Sequence, residues 1–394
     1  MKPPGPSATR SASQKQEHAP GRPAPPARRE HNRGDLSGRS ASREARSSSR
    51  ERTRGVAGSR LRVGTRGSAL ALAQAREVVA RIAGSGGPPC DTVVIRTTGD
   101  TAPLAGDEAG GGKRVFVKEL EDALVRHAID LAVHSCKDLP VALPPGLELV
   151  AVLPRATPWD ALVLPLSAAH PPAALDAALS PQGPFGWMPA SAGMTSAVVR
   201  ALGPSPRVGT GSIRRTAALS RRLPGARFIP IRGNVDTRLR KLDGGEYDVL
   251  VLAAAGLERL GLADRISCVL PVDVSVPSPG QGAIAVEARA GDMTAGRAAI
   301  AVSDRVTAAA VAAERALVAA LGGGCRTPIG AVALPVGGDL ELHAAVLTPD
   351  GQRAVRGVER GPQAGAEELG RRLARRLAAE GASDILKEER RGLP

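Results

Sequence analysis

Three sets of side chains have the types and spacing to do chemistry. The first is a single thiol. Cys325 stands in the run Leu321 to Gly330, which reads LGGGCRTPIG. Three consecutive glycines are costly inside a helix or strand, because each loses more backbone entropy than any other residue and packs no side chain. The apolar spacing of Ala308 to Leu321 predicts a helix that stops at this loop, so a rigid element holds the thiol out. An incidental cysteine on a turn has the same local pattern. The second set is Lys137 and Asp138 in His134 to Pro140, HSCKDLP, an amine and a carboxyl where open α/β sheets put their ligands, at the C-terminal end of a strand. The third is a series of arginines, Arg66, Arg214, Arg215, Arg232, Arg238 and Arg259, each following a predicted strand end or in the adjoining helix. Guanidinium forks at several equivalent strand ends suit a ligand with many carboxylates. Phosphate competes, but the pattern GxxxxGK[ST] is absent.

The elements that position these groups are legible in chain order. A strand from Leu61 to Thr65 runs into Arg66-Gly67-Ser68 and then a helix, with Ser68 as its N-cap, so unpaired N–H groups and the helix dipole make an anion pocket. Strands follow at Thr92–Thr98 and at Asp130–His134, with a glycine-rich loop ending at Lys113 and a helix Val115–His127 between them. Val208-Gly209-Thr210-Gly211-Ser212 then echoes Val63-Gly64-Thr65-Arg66-Gly67-Ser68, each copy closing a strand and opening a helix, so two similar α/β lobes are expected. Between them, about 167–205 reads as an inserted surface excursion with a short helix near 172–179.

Composition bounds the rest. The formal charge is +14, but residues 1–60 hold 14 Lys/Arg against 5 Asp/Glu, so 9 of those 14 charges belong to the N-terminal stretch. That stretch has no apolar periodicity and reads as a disordered basic tail over 1–59. With only 2% aromatic residues there is little to stack on bases, which favours an anionic small molecule over nucleic acid. The cysteines Cys90, Cys136, Cys268 and Cys325 have no metal-ligand spacing. With no apolar run long enough to span a bilayer and no secretory signal, a cytoplasmic location is expected, without membrane or metal.

Together the motifs TRGS (Thr65–Ser68), HSCKDLP (His134–Pro140), GSIRR (Gly211–Arg215), RGNVDTR (Arg232–Arg238), GQGA (Gly280–Ala283) and GGCRTPIG (Gly323–Gly330) resemble the porphobilinogen deaminase family, from about residue 60 to the C-terminus. The resemblance implies a monomeric three-domain enzyme that joins four porphobilinogen molecules head to tail into hydroxymethylbilane, releasing ammonia each time. It also implies a dipyrromethane cofactor, here held by a thioether to Cys325. Asp138 would be the general acid and base; read on its own it could equally be a turn residue before Pro140. Ser68, Lys137, Ser212, Arg214, Arg215 and Lys113 would bind the cofactor. Arg66, Arg232, Arg238, Arg259 and Phe116 would bind substrate, although Phe116 also fits a helix core.

The implied architecture is α/β, with two lobes resembling type II periplasmic binding proteins plus a smaller C-terminal α/β domain. Residues 60–156 and 278–300 would form a discontinuous first domain, 157–277 the second, and 301–394 the domain carrying Cys325. Three positions depart from the family's pattern: Asp107-Glu108-Ala109 where a lysine is common, Gly322 where glutamate is common, and Trp159 where a basic residue is common. The first puts the charge of a flap over the cleft in doubt and the second suggests a looser cysteine loop. A non-catalytic binding protein for a polycarboxylate is the rival reading, and a nucleic-acid-binding protein working through its tail is a second.

Overall fold

The computed structural model describes residues 60–96, 117–168, 202–323 and 327–391. The N-terminal tail, Lys113, Phe116, the departure at 107–109, most of the 167–205 insertion and Cys325 lie outside the described residues.

In chain order the elements are β1 Leu61–Thr65, α1 Ala69–Gly84, β2 Cys90–Val94, α2 Lys118–Val125, β3 Leu131–Ser135 and β4 Leu147–Val152. Next come β5 Asp160–Val163, β6 Arg207–Gly209, α3 Ile213–Ser220, β7 Arg227–Ile229, α4 Val235–Asp243, β8 Val249–Ala253, α5 Ala254–Arg259 and β9 Cys268–Val269. The remainder is β10 Ile284–Arg289, α6 Met293–Ile300, α7 Arg305–Ala320, β11 Ile329–Val336, β12 Asp339–Leu347, β13 Ala354–Pro362, α8 Ala366–Leu377 and α9 Ser383–Arg391.

Two five-stranded sheets have one plan. The first runs β2-β1-β3-β10-β4 and the second β7-β6-β8-β5-β9. In each, the first three strands are parallel and the fourth position runs antiparallel to both its neighbours. That antiparallel strand belongs to the chain as it changes sheet: β5 follows the outward crossing through 153–159, and β10 the return through 270–283. The two-lobed α/β class expected from the echoed motif is therefore present, and the crossings join the lobes twice.

The echo itself has a packing cause. A Cβ on Gly64 would come within 2.3 Å of Ile129 Cδ1, and one on Gly209 within 2.4 Å of Leu250 Cδ2. Both strands, β1 and β6, second in their sheets, admit a neighbouring side chain where only glycine leaves room. In α1 the buried positions Ala71, Gln74, Ala75, Val78 and Ile82 recur at helical spacing and cover the first sheet. The strand expected over Thr92–Thr98 is shifted to Cys90–Val94, because β2 pairs residue for residue with β1 and ends opposite Thr65. Helix α2 stops short of His127, whose φ of 56° is left-handed.

The smaller C-terminal α/β domain is an antiparallel meander, β11-β12-β13, with α7 and α8 packed on one face through Leu317, Leu342, Leu369 and Leu373. Its other face meets the second lobe: Val332, Ala345 and Leu347 pack with Ala217, Val269, Val276 and Trp159. Trp159 is 3% exposed, so at this departure from the family's pattern an apolar contact occupies the place of a charge. Among the described residues no helix is long and apolar enough to cross a membrane.

Candidate active site

Asp138 and Lys137 lie in a single 3-10 turn, Cys136–Asp138, directly after β3. The turn is held from below. Cys136 N–H donates to Ala283 O at 3.0 Å, and Gly280, at φ +72°, approaches so closely that a Cβ there would lie 2.6 Å from Cys136 Sγ. On the side facing α1, the buried Gln74 amide exchanges hydrogen bonds with Ser135 Oγ at 2.9 and 3.1 Å. The thiol of Cys136 is inert here, since burial pushes it up to about 11. These contacts place the half-buried Asp138 and Lys137 at the end of β3 where the second lobe comes near.

The second lobe answers with arginines. Ser212 is the N-cap residue of α3, although its side chain makes no capping bond, whereas the Ser68 side chain accepts from Ala71 N–H at the start of α1. Arg214 and Arg215, in the first turn of α3, turn inward to Asp160, the first residue of β5. Arg214 spans both Asp160 carboxylate oxygens at 2.8 and 3.2 Å and also donates to Val276 O and Ser275 Oγ. Arg215 reaches Asp160 Oδ1 through Nε at 2.9 Å and Val251 O through Nη1. Ser275 Oγ and Gln281 Nε2 complete the shell around Asp160 at 2.7 and 3.0 Å.

Burial opposes ionisation of Asp160, but the two guanidinium groups and their hydrogen bonds hold its carboxyl far below the usual carboxylate range. Two buried cations against one buried carboxylate leave an excess positive charge at the crossing. Burial lowers Arg215, Asp160 and Asp138 raise it, and Arg214 lowers it further. Arg238, on α4, is likewise lowered by burial and by Arg215 and raised by Asp138. Asp138 of the first lobe therefore shares a field with Arg215 and Arg238 of the second.

The other predicted arginines have different settings. Arg238 is fixed by a 2.8 Å bond from Nε to Gly233 O, at a turn where Gly233 has φ +104° and Asn234 caps α4 by accepting from Thr237 N–H. Arg232, in the same turn, is exposed, and Arg66 is half-buried after β1. Arg259, at the end of α5, crosses to the first lobe: Nη2 donates to Gly282 O at 2.9 Å and Nε contacts Glu77 at 3.4 Å. The structure thus gathers Asp138, Arg215 and Arg238, directs Arg214 into the crossing, and places Arg259 between lobes.

Sequence reasoning gave no role to the residues that organise this arrangement: Asp160, Ser275, the pair Arg155–Glu314, and Gln281, which it met only within the GQGA motif. Glu314, on α7, binds Arg155 Nη1 at 2.6 Å and accepts from Gly280 N–H at 2.6 Å and Ala333 N–H at 2.8 Å. One carboxylate thereby ties the outward crossing, the return crossing and the C-terminal sheet. A signal existed for Asp160, an acid entering the apolar run WDALVL (Trp159–Leu164), since such residues are rarely fully buried unless paired.

Gly322, where a looser cysteine loop was expected, closes the end of α7, and the loop itself at 324–326 lies outside the described residues. Gly322 has φ +64°, and Gly322 N–H donates to Ala319 O while Gly323 N–H donates to Val318 O at 3.0 Å. This is the paired hydrogen-bond closure that glycine gives a helix C-terminus. It fixes the end of α7 two residues before Gly324-Cys325. A groove of ≈ 470 Å³ between Val141, Leu149 and Val152 of the first lobe and Arg315 and Arg371 of the C-terminal domain contains none of these groups.

Comparison with known proteins supplies the family. The family description "Porphobilinogen deaminase, dipyromethane cofactor binding domain" matches residues 61–297, and "Porphobilinogen deaminase, C-terminal domain" matches 308–379. Porphobilinogen deaminases from two strains of Acidithiobacillus ferrooxidans are each 41% identical over 331 residues, covering 84% of this chain and 98% of the relative. Among solved structures, immunogenic lipoprotein A from Vibrio vulnificus aligns over 64% of this chain and 98% of its own, at 11% identity and a TM-score of 0.35. This chain belongs to the porphobilinogen deaminase family.

Proposed function

We propose that this chain polymerises porphobilinogen, joining four molecules head to tail with release of ammonia to give hydroxymethylbilane, and that Asp138 is its acid–base residue. The observation that carries this assignment is the seating of Asp138 on the turn that ends β3, held against Gly280 and Ala283 of the return crossing, whose Gln281 meets Arg215 and Asp160 of the second lobe. Each porphobilinogen has an acetate and a propionate, so a cleft with excess positive charge suits both the substrate and a product that accumulates acid groups.

The dipyrromethane cofactor fits the same residues. The crossing holds two guanidinium groups for one carboxylate, a surplus that an acidic group can offset. When bound, the cofactor supplies the pyrrole on which the new chain is built. Cys325 would anchor it through a thioether, with Ser68, Lys137, Ser212, Arg214, Arg215 and Lys113 holding its acid groups. Arg66, Arg232, Arg238 and Arg259 would orient the substrate's carboxylates, and Phe116 would pack on its ring. Asp138 would give a proton to the departing amine and take one back from the newly joined pyrrole, and its negative charge would stabilise cationic pyrrole nitrogen.

The domain reading follows the crossings: 60–156 with 278–300, then 157–277 with its insertion, then 301–394. A monomer acting in the cytoplasm without nucleic acid is part of the same proposal; few aromatic residues, 2% of the chain, leave little to stack on bases. Intact mass is the test. The purified protein should carry the added mass of a dipyrromethane, Cys325→Ser should lack it, and turnover of porphobilinogen should accompany it. Unmodified wild-type protein without turnover would favour the non-catalytic polycarboxylate-binding reading.

A further inference from the structure

Glu77 lies on α1 opposite α5, where the lobes touch: a Cβ on Gly256 would be 3.7 Å from Leu70 Cδ2. Its carboxylate is divided between two cations. Oε2 meets Arg259 Nε and Oε1 meets Arg81 Nε, each at 3.4 Å. Both are single, long contacts, and neither has the two-pronged geometry that makes an arginine–carboxylate pair strong. The Arg259 side chain is 11% exposed and that of Glu77 31%, so the guanidinium is largely out of water while its acid partner stays near it. Arg259 also donates through Nη2 to Gly282 O on the return crossing. A guanidinium rooted in the second lobe thus reaches the first lobe and the return crossing.

We propose that Glu77 is a built-in stand-in for a substrate carboxylate: it holds Arg259 between the lobes until an acetate or propionate of porphobilinogen displaces it. Glu77 is then a positioning and affinity-setting residue that never touches the reacting atoms. The inference rests on the reading of Arg259 as a grip for substrate carboxylates. The physical argument is one of competition. A ligand carboxylate able to take two donors of Arg259 replaces a one-donor contact, and the displaced Glu77 keeps Arg81 as a partner and solvent on its open side. The energy forfeited on displacement is that of a partly exposed ion pair, so it trims substrate affinity by about two- to fivefold.

The test uses the cofactor-loaded enzyme and the four members of a cycle: wild type, Glu77→Gln, Arg259→Gln and the double variant. Steady-state kinetics with porphobilinogen should show KM falling about two- to fivefold in Glu77→Gln, with kcat little changed. In the Arg259→Gln background the same replacement should leave KM where it was. Independently of turnover, phenylglyoxal labelling of Arg259, followed by peptide mass, should be faster in Glu77→Gln than in wild type and slowed by porphobilinogen. An unchanged or raised KM with unchanged labelling overturns the proposal, as does an equal fall in KM without Arg259. Arg259→Gln binding porphobilinogen as well as wild type overturns the Arg259 reading itself, and the proposal with it.

Discussion

Arg155 and Glu314 form a bidentate ion pair at 2.6 and 3.2 Å, with side chains 1% and 0% exposed and 159 residues apart in the sequence. Arg155 also donates through Nε to Gln281 O. Removing one partner of such a pair strands a charge in the interior, which costs about 3–5 kcal/mol. Glu314→Ala should lose about that much stability in denaturant unfolding, whereas a combined replacement of Arg155 and Glu314 by apolar residues of similar volume should recover a substantial part. A Glu314→Ala loss below about 1 kcal/mol would contradict the buried-pair account.

Asp160 makes a prediction about acid. Its folded carboxyl titrates below the unfolded value, because Arg214 and Arg215 outweigh the cost of burial. A depressed carboxyl contributes stability that is complete above the unfolded value, about 3.9, and lost as pH falls toward the folded one. The stability gap between wild type and Asp160→Asn should therefore be flat from neutral pH to about 5 and shrink below about 4. Equilibrium unfolding across that range checks the sign; a gap that widens on acidification would refute it.

Asp138→Ala tests the chemistry. Loss of a positioned acid–base group lowers turnover by about 10²–10⁴-fold, and the effect should fall on kcat with a smaller change in KM. Asp138→Glu should recover little, because the 3-10 turn fixes the backbone against Gly280 and Ala283 and a longer arm displaces the carboxyl. Near-normal kcat in Asp138→Ala would remove the residue from the reaction.

Gly322→Ala should destabilise the end of α7. A left-handed conformation costs an L-residue about 1–2 kcal/mol, and the two closing hydrogen bonds depend on it. Thermal unfolding should show the loss, and cofactor loading at Cys325 should slow. An unchanged midpoint would mean that the helix end is not fixed by this glycine.

Much of the fold was legible because its signals are local. Gly64 and Gly209 recur in the same short motif, Ser68 precedes an amphipathic run, and Asn234 precedes a capped turn, so the two lobes could be read from one echo. The arginines could be found by residue type and position at strand ends, yet their roles could not be separated. Whether Arg214 faces the cleft or Asp160 depends on a partner 54 residues away, and Arg259 meets Glu77 across 182 residues. Glu314 reads as one more charge on a helix, and its burial appears only when two crossings and a sheet converge on it. Trp159 and Gly322 depart from the family's pattern, and sequence alone does not show that one fills an apolar seam and the other closes a helix.

The clamp at Glu314 sets a tolerance for the whole catalyst. From Glu314 to Ala320, where α7 ends, the helix extends about 9 Å at its ordinary rise. A tilt of about 6° about the clamp would carry that end through about 1 Å over that length, a displacement that can cost about a hundredfold in rate when it falls on reacting groups. The aim of this enzyme is thus governed from behind the Asp138 turn, by how firmly one acid on α7 grips the two passing segments of the chain.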